Sequence, residues 1–221
     1  MKKVIFFFLL TGFLQNSFAQ FTGVLNYEDD YSNDISKGKV VTTIYESKLK
    51  ARIESRNTPE RNGQPDTAAA KDQNIIFYDF DKQTVTRLNA KTNTVSTISL
   101  SQADIAGDMI KKMGSEVFVQ NLGPEKIGNY SCIHFIMKIT NPKVKTPNAG
   151  EKDIWITKDL GISNVYYSGV YLYYPQGSFL AKKLLEAGAT GIVVKWKEGS
   201  TVGNLISYQT KNLPESTFIA P

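Results

Sequence analysis

The chain has one cysteine and one histidine, Cys132 and His134. They stand two apart in a stretch that alternates like a strand, so both side chains fall on one face. A thiol beside an imidazole is the composition of a nucleophilic dyad. On a single strand, however, the two project in parallel instead of converging, and no oxyanion-hole pattern accompanies them, so Cys132 reads as a small buried apolar residue. One Cys and one His also fall short of the three or four ligands of a zinc site. Paired carboxylates for acid–base work have candidates in Glu28, Asp29 and Asp30, which read as a turn, and in Asp79 and Asp81, which flank a hairpin tip. Gly161, Gly169 and Gly177 are isolated, and none opens a phosphate loop after a strand. The residues point to no enzyme, no metal and no cofactor.

The elements that carry these residues are mostly strands. Phe21, Gly23, Leu25 and Tyr27 share a face; after a polar turn through Asp29 to Lys37, so do Val40, Thr42 and Ile44. Leu49, Ala51 and Ile53 then alternate with Lys48, Lys50, Arg52 and Glu54. Residues 56–72, with Pro59, Gly63, Pro65 and a run of three alanines, read as a mobile loop that could close over a cavity mouth. A meander follows over 74–80, 84–88 and 94–100, its tips at 81–83 and 89–93. The run Ile75-Ile76-Phe77-Tyr78 is apolar on both faces and is expected to be central and covered on both sides.

Ser101 opens a helix with Asp104 three residues on, Ile105, Met109, Ile110 and Met113 along one side and Gly114 at its end. Strands return at 127–140, where Ile133, Phe135, Met137 and Ile139 share a face, and at 153–157, with a connecting loop over 141–150. Trp155 points away from Ile154 and Ile156, either under a second apolar layer or exposed for contact. Five tyrosines within 165–174 suit both sheet packing and a binding surface. A second helix over 177–187 turns Leu180, Leu184 and Leu185 inward. Strands at 192–196 and 202–211 close the chain as a hairpin about 198–200, and Phe218 and Ile219 pack as a last short piece. The sum is a mainly β, α+β domain of about ten or eleven strands and two short helices, arranged as a strongly curved antiparallel sheet or half-barrel with the helices on its concave face.

Residues 1–19 combine Lys2 and Lys3, an apolar run from Val4, and a small-residue exit at Ser17-Phe18-Ala19. That is the pattern of a secretory leader cut after Ala19, too short for a stable transmembrane anchor. The sequence therefore predicts a single exported domain over 20–221, periplasmic or secreted. One cysteine cannot make an internal disulfide, so the core must hold without one. Losing Lys2 and Lys3 lowers the formal charge from +5 to +3. With the basic residues scattered through strands, nucleic acid is not an expected partner.

Ile127-Gly128-Asn129-Tyr130-Ser131-Cys132, Trp155-Ile156-Thr157-Lys158-Asp159-Leu160, Ile192-Val193-Val194 and the leader ending Phe18-Ala19-Gln20 resemble the exported bacterial domains of unknown function 4412. Ile76-Phe77-Tyr78-Asp79-Phe80-Asp81-Lys82-Gln83-Thr84-Val85 is similar to the hairpin of periplasmic lipoprotein carriers of the LolA type and of related sigma-factor regulators. The resemblance implies a half-open antiparallel barrel with helices plugging its concave face over an apolar cavity. It carries no catalytic residue.

The apolar faces exceed what two short helices obviously cover, so the expected function is binding of a lipid, acyl chain or other amphiphile in an apolar groove. Its expected lining is Phe77, Met109, Met113, Phe135, Met137 and Ile139, with Tyr78, Trp155 and Trp196 replacing neighbours if the register differs by one. The competing expectation is a cell-envelope interaction module with a plugged cavity, which meets a partner protein through the tyrosines or a bare strand edge.

Overall fold

The computed structural model describes residues 19–32, 37–61, 64–66, 73–89, 92–141, 151–169 and 173–221. Outside them lie residues 1–18 of the expected leader, 62–63 and 67–72 of the expected mobile loop, 90–91 of the expected hairpin tip, 142–150 of the expected connection, and Tyr171. Among the described residues the chain forms a large antiparallel sheet that is not closed into a barrel, three short α-helices and a two-stranded ribbon.

The first half is a meander. β1 (Gly23–Ser32), β2 (Lys37–Glu46) and β3 (Lys50–Arg61) pair in turn, β4 (Gln64–Pro65) pairs back onto the end of β3, and β5 (Gln73–Asp79), β6 (Thr84–Asn89) and β7 (Thr94–Ser99) continue outward. Two strands run further than their composition suggests. Asp29 and Asp30 belong to β1 rather than to a turn, and residues 56–61 of the expected loop are the second half of β3, where ladder hydrogen bonds to β2 outweigh low hydrophobicity.

α1 (Leu100–Ala103) and α2 (Ile105–Lys112) replace the single helix expected from Ser101. Ser99 caps the first in a capping box with Gln102, and Asp104 ends it and caps the second. β8 (Glu116–Ile127) and β9 (Tyr130–Thr140) then form a long hairpin. Ile127-Gly128-Asn129-Tyr130 is its tip, with Gly128 at φ +57°, rather than the opening of one strand, and β8 itself was not anticipated. β10 (Glu151–Thr157) pairs with β9, and β11 (Val165–Tyr167) and β12 (Tyr173–Pro175) form the ribbon. α3 (Phe179–Glu186) buries Leu180 and Leu184 but leaves Leu185 38% exposed. β13 (Ile192–Glu198) and β14 (Thr201–Thr210) make the expected hairpin.

The order across the sheet is β7-β6-β5-β3-β2-β1-β14-β13-β10-β9-β8. The pairing of β1 with β14 therefore joins two meanders, and the two edges, β7 and β8, are consecutive in sequence. β5 lies third from an edge, not at the centre, yet Ile75, Ile76, Phe77 and Tyr78 are all buried as expected. One face (the inner face) carries Leu25, Tyr27, Ile44, Ile53, Ile76, Phe135, Met137 and Ile154. These form a single core with Ile110, Leu180 and Leu184 of the helices and Tyr166, Tyr167 and Tyr174 of the ribbon.

The opposite face is covered in places. A 3-10 turn at Glu215–Phe218 lies on β3, with Arg52 donating to Thr217 O at 3.3 Å and Phe218 buried as expected. The Arg52 guanidinium is 5.5 Å from the ring centres of both Tyr45 and Phe77. Phe77 thus faces away from the inner face on which it was expected, and Tyr78 takes the inward position by the one-residue alternation of the pleat.

Candidate functional site

A cavity of about 260 Å³ lies between α2, α3 and the inner face of the sheet, bounded by Met109 and Ile110 of α2 and Met113 at its C-cap, Leu180 of α3, Met137 and Ile139 of β9, and Tyr174 of β12. Its walls are apolar for local reasons. Met137 and Ile139 are two apart on one strand, and α2 with its C-cap turns Ala106, Ile110 and Met113 toward the same space at helical spacing. Met109 and Met113 are half-exposed at 54% and 43%, so flexible thioether chains form part of the rim.

One polar pair enters this space. Lys152 of β10, cross-strand partner of Met137, is only 2% exposed. Its Nζ donates to Ser168 O at 2.7 Å, lies 3.3 Å from Ser168 Oγ and 3.0 Å from Glu198 Oε2, and stands 5.2 Å from the Trp196 ring centre. Glu198 is 42% exposed, so the pair has a buried cation and a wet anion.

Beside it runs a buried network. Asp29 is fully buried and accepts from Tyr167 OH and from Trp196 Nε1, the latter at 3.1 Å. Burial pushes its carboxyl up to about 6 against the lowering effect of these hydrogen bonds and of Lys152. Tyr167 OH also reaches Thr42 Oγ1 at 3.3 Å, and Thr42 and Ser55 share a hydrogen bond of 2.9 Å. A second buried acid, Glu46, receives the backbone N–H of Asn164 and lies 2.7 Å from Ser163 Oγ. Burial drives it up to about 8.

The Cys132–His134 pair is not assembled as a dyad. His134 Nε2 is 2.8 Å from Asp153 Oδ1, Nδ1 is 3.3 Å from Glu125 Oε2, and the ring stacks on Trp155 at 4.3 Å. Both nitrogens are thus taken by carboxylates on the outer face. The Cys132 thiol is buried and pushed up to about 11, chiefly by desolvation, which is the opposite of an activated nucleophile.

Of the expected lining, Met109, Met113, Met137 and Ile139 meet at the cavity. Phe135, Tyr78 and Trp196 lie on the inner face but are consumed in the core, each 6% exposed or less. Phe77 and Trp155 lie on the outer face. Trp155 is covered there by His134, by Lys195 4.9 Å above its ring, and by the bond from its Nε1 to Glu125 at 2.7 Å. Tyr166, Tyr167 and Tyr174 are buried packing residues, so they do not form the expected binding surface. Sequence reading missed Lys152, Glu198 and Glu46, and it placed Asp29 in a turn instead of in the core. For Lys152 a signal existed: it is in phase with Ile154, a charge on an apolar face.

Fold and cavity together define a class: a mainly β protein on a large open antiparallel sheet, with a small apolar chamber under its helices. Residues 21–221 match the family model of a domain of unknown function, DUF4412, and the chain belongs to that family. No curated protein shows significant sequence similarity to it. Among the described residues, no helix is long and apolar enough to cross a membrane, and no group of three or more His, Cys, Asp or Glu side chains is placed to hold a metal.

Proposed function

We propose that this is an exported, non-catalytic binding domain that holds a slender amphiphile, a lipid or acyl chain, in the methionine-walled cavity. The observation that carries the reading is the convergence of Met109, Met113, Met137 and Ile139 on one chamber with a single charged pair on its wall. A volume of about 260 Å³ is just below the roughly 300–1,000 Å³ of sites for compact drug-sized ligands, which favours a single chain.

The reading includes a curved sheet with α2 and α3 on its concave side, as in the lipoprotein carriers that the sequence resembles. Topology supports it. Edges β7 and β8 are joined by residues 100–115 alone. Eleven strands laid flat at about 4.8 Å spacing would separate those edges by roughly 48 Å. Twelve helical residues at about 1.5 Å each and four extended ones at about 3.5 Å reach only about 32 Å even when collinear. A sheet curled toward the helices removes the shortfall. Export, with removal of residues 1–19, rests on the leader pattern.

The test is native mass spectrometry of the exported protein before and after delipidation, followed by titration with a fluorescent fatty-acid probe. The expected result is a bound mass of several hundred daltons, saturable probe binding, a first residue of Gln20, and about tenfold or greater weakening by Met137→Arg, which places an unpaired charge in the chamber. A bare mass and no probe binding would sink the reading. That outcome would move attention to β7, an edge with Val95 and Ile98 exposed, as a strand-docking surface for an envelope partner.

A further inference from the structure

The Lys152–Glu198 pair is asymmetric in a way that selects a headgroup. The ammonium is buried and tethered: its bond to Ser168 O and its place beside the Trp196 ring hold it at the cavity wall. The carboxylate sits at the end of β13, 42% exposed, with water within reach of a simple side-chain rotation. If Glu198 turns outward it regains hydration, which offsets only part of the lost ion pair, because Lys152 stays buried. The ammonium cannot follow. A buried cation stripped of its anion is strongly unfavourable and draws in another one. A neutral headgroup offers Lys152 a hydrogen bond but no charge in exchange for Glu198, and a cationic one repels it.

Tail and head positions are adjacent by strand register. Lys152 is paired across the ladder with Met137, whose neighbour Ile139 continues the apolar wall toward Met109 and Met113. A chain lying along Ile139 and Met137 therefore ends at Nζ. Ser168, fully buried behind this point, accepts from Nζ through its carbonyl at 2.7 Å and its Oγ at 3.3 Å and so holds the ammonium in place.

We infer that the cavity takes an unbranched chain ending in an anionic group, carboxylate or phosphate, which replaces Glu198 at Lys152 Nζ. This rests on the amphiphile reading above and names the class of ligand within it.

The test is isothermal calorimetry of the delipidated mature chain with decanoate, decyl phosphate, decanol and decyltrimethylammonium. Decanoate and decyl phosphate should each bind about tenfold or more tightly than decanol, as a charge-assisted hydrogen bond provides. The comparison of these two separates a fatty-acid source from a phosphorylated one, and a preference for either supports the assignment. Lys152→Met, which replaces a buried charge by an apolar chain of similar length, should erase the anion preference while decanol still binds. Glu198→Gln, which leaves Lys152 without its anion, should lower stability in urea and tighten decanoate several-fold by removing the competing anion, with decanoate restoring part of the lost stability. Equal affinity for decanoate and decanol, or tighter binding of decyltrimethylammonium, would overturn the headgroup assignment and leave the amphiphile reading standing. No binding of any of the four would overturn both.

Discussion

Asp104 Oδ2 accepts the backbone N–H of Phe179 at 2.6 Å while its Oδ1 accepts that of Gly107 at 3.1 Å. One carboxylate thus caps two helices 75 residues apart, α2 and α3, and fixes the roof of the cavity to itself. Gly107 lies against this junction so closely that a Cβ there would stand 2.6 Å from Phe179 Cβ. Asp104→Ala should cost about 1–3 kcal/mol in urea unfolding. Asp104→Asn should cost less, since its oxygen still caps one helix while its amide cannot accept from the other. Equal losses for the two variants would show that the double cap is not what joins the helices.

The buried acids make stability fall as pH rises. A folded-state pKa above the unfolded value means that the folded chain holds the extra proton, so the contribution is fully present below the ordinary carboxylate range and is lost as pH climbs. For Asp29 the loss runs to about 6, and for Glu46 to about 8. Each group contributes a slope of up to about 1.4 kcal/mol per pH unit within its window. Unfolding free energies from urea titrations between about pH 5 and 8 should decline by an amount on the order of a few kcal/mol. A flat or rising profile would contradict this.

The hydrogen-bond count around Glu46 leads to the same place without reference to pKa. Ser163 Oγ lies 2.8 Å from Val165 O and accepts from Val165 N, but its single hydroxyl proton cannot serve both Val165 O and Glu46. A protonated Glu46 donating to Ser163 Oγ satisfies every atom. Glu46→Gln, whose amide donates in the same place, should be as stable as the parent near pH 6, more stable by about 1 kcal/mol or more near pH 8, and flatter in its pH profile. A Gln variant less stable at pH 8 would mean that Glu46 is ionised in the fold.

Trp196 occupies a slot cut by two glycines. A methyl at Gly203 would overlap Trp196 Nε1 and Asp29 Oδ1, and one at Gly169, which also sits at φ +116°, would overlap the far edge of the indole. Gly203→Ala should therefore cost at least about 2 kcal/mol and red-shift tryptophan emission, because it breaks the Trp196–Asp29 bond as well as overpacking the core. An unchanged spectrum with unchanged stability would show that the ring has room to move.

Cys132, with its thiol near 11 and buried, should react with iodoacetamide at pH 8 about a hundredfold more slowly in the folded protein than in urea. Cys132→Ala should leave amphiphile binding unchanged. Rapid native alkylation would restore the thiol as a candidate for chemistry.

What the sequence by itself determined was local. Period-two alternation marked the inward residues of β2 and β9, the turn residues placed the hairpin at 198–200, and the amphipathic spacing placed both helical segments to within a few residues, because these patterns repeat over a span shorter than the element. Tertiary structure decided the rest. Phe77 and Tyr78 are both large aromatics that suit a covered face, and only the ladder to β3 and the Glu215–Phe218 turn settled which of them faces outward. Asp29 looked like a turn residue until Trp196, 167 positions away, supplied a donor for it inside the core. Lys152 gained meaning only when β13 brought Glu198 beside it. A side chain's period is written in its neighbours along the chain; the partner that makes a buried charge tolerable is written in the fold.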